Sequence, residues 1–296
     1  MLYRSIYIGN PAHLKLKDKQ LKITDPSTQT VKGSVPIEDL GLLMLDHYQI
    51  TISHQLLQEL MKNNVVLISC DEKHLPLGAM LPFSGNTQYS ERVKTQLEVS
   101  EPLKKQLWKQ TIECKIQNQA KVLEHFGKYA DPMYDYLKEV KSGDTTNMEG
   151  IAAQHYWKYL IDYDFLRDRF GEYPNQFFNF GYGVLLSIVA RALVDTGLLL
   201  VLGIFHRNKY NPYCLASDIM EPYRPIVDLL VMEWLTTHPE VEELNKESKA
   251  HILQMATHDV QIEKNIHPLI VAVKNTASSL YKCYTGEKRL IAYPEL

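Results

Sequence analysis

The chain has 296 residues, 45% hydrophobic and 23% charged, with a formal net charge of −3, the profile of an ordinary globular protein with enough apolar material for two cores. That charge excludes a coat of Lys and Arg, so a bound polyanion must be met by a local basic surface. The four cysteines, Cys70, Cys114, Cys214 and Cys283, form no CxxC pair, which argues against a thiolate zinc site and a disulfide framework.

The opening Met-Leu-Tyr-Arg-Ser lacks the charged-then-apolar layout of a signal segment, so the expected compartment is the cytoplasm. Residues 1–75 read as strands. Leu2 to Ile8 is β-prone and stops at Gly9-Asn10-Pro11; Leu14, Leu16, Leu21 and Ile23 flank Lys17-Asp18-Lys19-Gln20 as two half-buried strands around a tight turn. Val35-Pro36-Ile37 and Gly41 to Leu45 add strands. Ser53 suits the N-cap of a short helix that buries Leu56, Leu57 and Leu60 and ends at Asn63-Asn64. Val65 to Ser69 is a continuous apolar run, as in a strand covered on both faces.

Pro76, Gly78, Pro82 and Gly85 mark residues 76–90 as a linker, after which the period becomes helical. Helices are predicted within 91–126 and around 131–140, 147–169, 182–195, 218–236 and 243–259. Val184 to Phe205 is the most apolar stretch, but Arg191, Asp195 and Gly197 interrupt it, giving a buried helix and then an extended run, not a membrane span. The expected fold class is α+β: a small β-rich domain over 1–75, the linker, and a larger all-α domain over 91–296.

Chemistry-bearing residues are densest between Asn179 and Asp228. On a helix Asp218 and Glu221 project from one side, and His206 closes an apolar run that would hold its ring rigidly. A rigid imidazole beside carboxylates suits a divalent cation with mostly oxygen ligands, Mg2+ or Mn2+, with the imidazole favouring Mn2+. The same spacing also fits a capping box with Asp218 as N-cap and Glu221 reaching back, and His206 alone fits a hydrogen-bonded structural histidine. Glu149 fits a first-turn glutamate that complements a helix dipole. His155, His251 and His258 read as exposed or capping. Lys104, Lys105, Lys109, Lys115 and Lys121 form a solvated helix face or a phosphate track.

Four ordered segments carry a family resemblance: Asn147-Met148-Glu149-Gly150 with Tyr156-Trp157; Asn179-Phe180-Gly181-Tyr182-Gly183; Gly203-Ile204-Phe205-His206-Arg207-Asn208; and Leu215 to Pro225. With Gly9 to Leu14 and the β-then-α order, the chain resembles the CRISPR-associated adaptation integrase, the first core adaptation protein, in its shorter type II form. The resemblance implies an N-terminal β domain that dimerises and a helical domain holding Mg2+ or Mn2+ on Glu149, His206 and Glu221. Asp218 matches a nearby supporting acid, and many members carry Asp where this chain has Glu221. It also implies double-stranded DNA, both captured fragments and the CRISPR repeat, as substrate. A small second core protein is implied as the bridge between two dimers. The reaction implied is attack of a 3′-hydroxyl on a repeat phosphodiester, with DNA supplying the nucleophile and His206 acting as ligand, not as free general base. The competing readings are a structure-specific DNA nuclease without joining activity and a non-catalytic DNA-binding scaffold.

Overall fold

A computed structural model describes residues 4–81, 86–162, 164–168 and 171–296. After β1 (Arg4–Ile8), the strands β2 (Ala12–Lys17) and β3 (Gln20–Thr24) form a hairpin that sets Leu14 opposite Ile23 and Leu16 opposite Leu21. Its two turn residues, Asp18 and Lys19, have φ of 50° and 57°, the conformation that a two-residue hairpin turn needs. β4 (Val31–Pro36), β5 (Leu40–Leu45), β6 (Ile50–Ile52), α1 (His54–Lys62), β7 (Val66–Cys70) and β8 (Pro76–Met80) follow. Ser53 caps α1 as expected, its Oγ accepting the Leu56 N–H at 3.3 Å.

One sheet has the order β4-β3-β2-β6 and the other β1-β5-β7-β8, whose first three strands are parallel. Alternate residues of β5 and β7 enter different cores. Leu43 and Leu67 pack with Leu14, Leu21, Leu56 and Leu60 between the sheets and α1. Leu42, Met44, Val66 and Ile68 pack against the helical part. Burial on both faces is why these strands read as unbroken apolar runs. β8 corrects the linker reading at its start: Pro76–Met80 pairs antiparallel with β7 at the sheet edge, where a proline at the first strand position costs no ladder bond. Pro82 and Gly85 lie outside the described residues.

The helical part comprises α2 (Tyr89–Leu97), α3 (Glu101–His125), α4 (Asp131–Glu139), α5 (Met148–Leu160), α6 (Asn175–Asp195), α7 (Cys214–Met220), α8 (Arg224–Thr237) and α9 (Lys246–Ile252). The hairpin β9 (Asp259–Ile262) and β10 (Asn265–Pro268) and then α10 (Leu269–Tyr284) complete it. The segments predicted as single helices differ in detail. The one at 147–169 stops at Leu160, the one at 182–195 begins earlier at Asn175, and the one at 243–259 gives way to β9. The segment at 218–236 is broken by a 3-10 turn over Glu221–Tyr223, where Pro222 supplies no backbone donor. This part is therefore helical with one two-stranded hairpin. α6 has the length and apolar composition of a membrane span, but 78% of its most apolar stretch is buried among the other helices. Gly181 permits that packing, because a Cβ there would stand 2.3 Å from Val227 on α8.

Polar ties join the N-terminal sheet to the helices. Asp46, at the end of β5, accepts from Tyr7 Oη at 2.5 Å and Lys249 Nζ at 2.7 Å, and lies 2.8 Å from His74 Nδ1. Arg191 of α6 donates to Asn64 Oδ1, just past α1, at 2.9 Å. Both ties fix how the helical layer lies on β1, β5 and β7.

Candidate active site

Five segments meet at one point: the middle of α3, the first turn of α5, the loop before α7, α7 itself and the α7–α8 junction. α5 begins after Asn147, whose φ is 53°. Its first amides are satisfied by Asp144, which accepts from Met148 N–H at 2.8 Å and Glu149 N–H at 3.0 Å. Asp144 therefore does the capping, and the Glu149 carboxylate is free to reach across to α3. There Lys115 Nζ lies 2.7 Å from Glu149 Oε1 and 2.6 Å from Glu221 Oε2. Arg224, the first residue of α8, holds the other Glu221 oxygen at 3.0 Å. Asn118, one residue short of a turn beyond Lys115, donates to the Pro222 carbonyl at 2.8 Å and ties α3 to the junction.

Asp218 does not cap a helix. It sits inside α7, fully buried, and its carboxylate gathers the preceding loop. It accepts the N–H of Ile204 at 2.5 Å, of Phe205 at 3.0 Å and of His206 at 3.2 Å, and contacts His206 Nδ1 at 2.5 Å. Gly203 makes that wrap possible: a Cβ there would meet the His206 carbonyl at 2.4 Å and Asp218 Oδ2 at 2.8 Å. Trp108 of α3 stacks on Phe205 with centroids 4.4 Å apart and meets the His206 ring edge-on at 5.7 Å. The imidazole is thus fixed from two sides, with Nε2 as the nitrogen left to a ligand.

The electrostatics follow from this packing. The hydrogen bond to Asp218 raises the His206 pKa above its ordinary value; burial opposes this, and Asp218, Glu221 and Glu149 add to the rise through their charge. Burial pushes the Glu221 carboxyl up, but Arg224 and Lys115 outweigh it and hold the group below the usual carboxylate range. Burial likewise depresses Lys115, and the charges of Glu221 and Glu149 more than restore it. Glu221 is 4% exposed and Lys115 8%, so these charges balance one another with little help from water.

Glu149, His206 and Glu221 therefore share one neighbourhood, with Asp218 behind the histidine. Among the described residues no three His, Cys, Asp or Glu side chains converge tightly enough to hold a metal ion as they stand; the Lys115 ammonium lies between the two glutamates. The donor set nevertheless fits Mg2+ or Mn2+. It has two carboxylates and one imidazole, and the buried Glu221 Oε2 receives no well-directed hydrogen bond despite its closeness to Lys115. The sequence reading missed Lys115 by placing it on a solvated face. The other histidines are occupied elsewhere: His155 with the Tyr129 carbonyl at 2.9 Å and His251 with that of Leu230 at 3.0 Å, while burial depresses His258. Lys109 and Lys121 pair with Glu113 and Glu124 on α3 itself.

His206 also lines a cleft of about 690 Å³ whose wall carries Lys104, Arg207, Lys209 and Tyr210. Glu101 pairs with both Lys104 and Arg207 at its rim.

Behind the site, Asp228 of α8 accepts from Tyr182 at 2.6 Å and Tyr156 at 3.0 Å, and Tyr182 lies under the Arg224 guanidinium at 4.6 Å. Burial pushes Asp228 up to about 6, against the two tyrosine hydrogen bonds. Its unfolded value is about 3.9, so the folded protein binds the extra proton between these values and the Asp228 contribution weakens as pH rises through that window. Urea unfolding should accordingly show Asp228→Asn gaining on the parent protein by about 2–3 kcal/mol between about pH 4 and about pH 7. A difference that does not change with pH would refute this assignment.

A β-rich N-terminal part joined to a helical part with a Glu/His centre beside a basic cleft is the class of protein that the fold and site define. The sequence matches the family described as CRISPR associated protein Cas1 over residues 6–261, and the chain belongs to that family. A CRISPR-associated endonuclease Cas1 from Neisseria meningitidis serogroup C (strain 8013) is 34% identical over 299 residues, covering 100% of this chain and 97% of the relative. Two solved structures share the fold. A casposase bound to integration product superposes with a TM-score of 0.79 at 20% identity, over 97% of this chain and 92% of that one. A Cas1 protein from Thermotoga maritima superposes with a TM-score of 0.72 at 18% identity, over 99% of this chain and 100% of that one.

Proposed function

We propose that this chain is a divalent-metal-dependent DNA endonuclease and integrase that inserts captured foreign DNA into a CRISPR array by transesterification. The observation that carries the reading is the convergence of Glu149 and Glu221 on a single cation beside the Asp218-fixed ring of His206, at the wall of a basic cleft. Family membership narrows the chemistry: the Neisseria relative is named an endonuclease, and the casposase of the same fold was captured with an integration product.

In this reading Glu149, His206 Nε2 and Glu221 hold Mg2+ or Mn2+, which supplies Lewis acidity at a phosphoryl oxygen when bound. Asp218 keeps the imidazole in the tautomer that offers Nε2, and Arg224 holds Glu221 in place. Lys104, Arg207 and Lys209 meet the DNA backbone. The 3′-hydroxyl comes from DNA, so the protein needs no nucleophile of its own. The N-terminal β part pairs with a second copy, and a small second adaptation protein bridges two such pairs; 36% of a chain in a solved Cas6-RT-Cas1–Cas2 complex has this fold, with a TM-score of 0.71 at 17% identity.

The test is a gel assay with supercoiled repeat-containing plasmid, 3′-hydroxyl DNA fragments, the partner protein and Mn2+. Strand-joined product that is lost in His206→Ala is expected. Cleavage without joining would leave a nuclease only, neither activity would leave a DNA-binding scaffold, and metal-dependent activity surviving in His206→Ala would overturn the site.

A further inference from the structure

Lys115 is the cation on which Glu149 and Glu221 converge, and the reading above gives it no role once a metal is bound. It lies on the buried face of α3, between Ile112, Ile116 and Gln119, with Asn118 anchoring that stretch of helix to the Pro222 carbonyl. Its Nζ reaches carboxylates from two other segments at once, Glu149 at 2.7 Å and Glu221 at 2.6 Å. These are the two acids that the proposed metal centre would use. A divalent ion of Mg2+ size sits about 2.1 Å from its oxygens, so it would compete with the ammonium for the space between the same two carboxylates. Two like charges at that separation repel strongly in a buried setting.

We propose that Lys115 is a built-in counter-cation: it holds Glu149 and Glu221 together in the metal-free protein, and a divalent ion enters by displacing its ammonium from between them. The four-carbon arm allows the withdrawal without moving α3. Lys115 is thus a positioning residue whose charge opposes metal loading. This inference rests on the metal reading above.

Mn2+ binding measured by calorimetry and by thermal shift, with no DNA present, tests it. Lys115→Gln should fold with a lower melting temperature. It should bind Mn2+ about tenfold more tightly than the parent protein, as relief of about 1.4 kcal/mol of charge competition would give, and gain more melting temperature from the ion. Lys115→Arg keeps the charge and adds a fork that grips carboxylates in two places, so it should bind Mn2+ more weakly than the parent; it also serves if Lys115→Gln does not fold. Unchanged or weaker binding in Lys115→Gln, or parental binding in Lys115→Arg, would overturn the exchange. Glu149→Gln separates this from the underlying reading. If the parent protein binds one Mn2+ per chain and Glu149→Gln loses it, the metal site stands whatever Lys115 does. If neither the parent nor Lys115→Gln takes up Mn2+, the metal site itself fails, and the exchange with it.

Discussion

Replacing Glu221 with alanine is expected to lower strand joining by about a thousandfold and also to destabilise the protein by about 3–5 kcal/mol. The second effect comes from its partners. Glu221 is the shared counter-charge of Lys115 and Arg224, and its loss leaves two cations competing for the more exposed Glu149. Glu149→Ala should abolish joining with a much smaller stability cost, since its carboxylate is a quarter exposed and water can replace it. The contrast is read from urea unfolding of both variants beside the joining assay. Equal stability losses would refute the description of a buried charge cluster centred on Glu221. The longer arm of Glu also has a use here: one oxygen meets Arg224 while the other meets Lys115, and an Asp carboxylate would be set back from both by one methylene.

Asp218→Asn should retain the fold and reduce both joining and Mn2+ affinity by about 10–100-fold, as removal of a partner behind a metal-bound histidine does. The single amide oxygen can keep the N–H groups of Ile204 and Phe205, while its NH2 faces the His206 N–H and Nδ1 in place of the charged oxygen that fixes the ring. Asp218→Ala is harsher, because the N–H groups of Ile204, Phe205 and His206 lose their acceptor, at about 1–3 kcal/mol for each one left buried. Metal titration and urea unfolding separate the two variants. Complete loss of Mn2+ binding in Asp218→Asn would make this residue a ligand instead of the support for one.

Much of the fold was legible in periodicity. The β2–β3 hairpin, the Ser53 cap and the doubly covered β7 follow from patterns spanning about a dozen residues or fewer. Elements that depend on distant packing were not. α10 contains Ile270, Val271 and Val273, β-branched residues with modest helix preference, and it is helical because its face packs on α6. The α7–α8 break depends on Pro222 together with Asn118 from another helix. Within the site, local spacing suggested a capping box for Asp218, yet that carboxylate serves a loop 12 to 14 residues earlier. For Glu149 the helix-start reading had the position right, and Asp144 took the capping role. Lys115 lay hidden because a lysine on a long polar-apolar helix looks like solvated surface; only the convergence of α5 and the α7–α8 junction makes it central.

Alternate residues of β5 and β7 belong to opposite cores, so neither strand can follow one core without leaving the other. A swing of the N-terminal part against the helices would have to shear a single strand in two directions. In the paired arrangement proposed above, the distance between the two proposed centres would then be set by the interface and the folded chain, with no hinge inside either copy to change it. Such a pair would offer DNA laid across it a fixed span, as a ruler does and a pair of calipers does not.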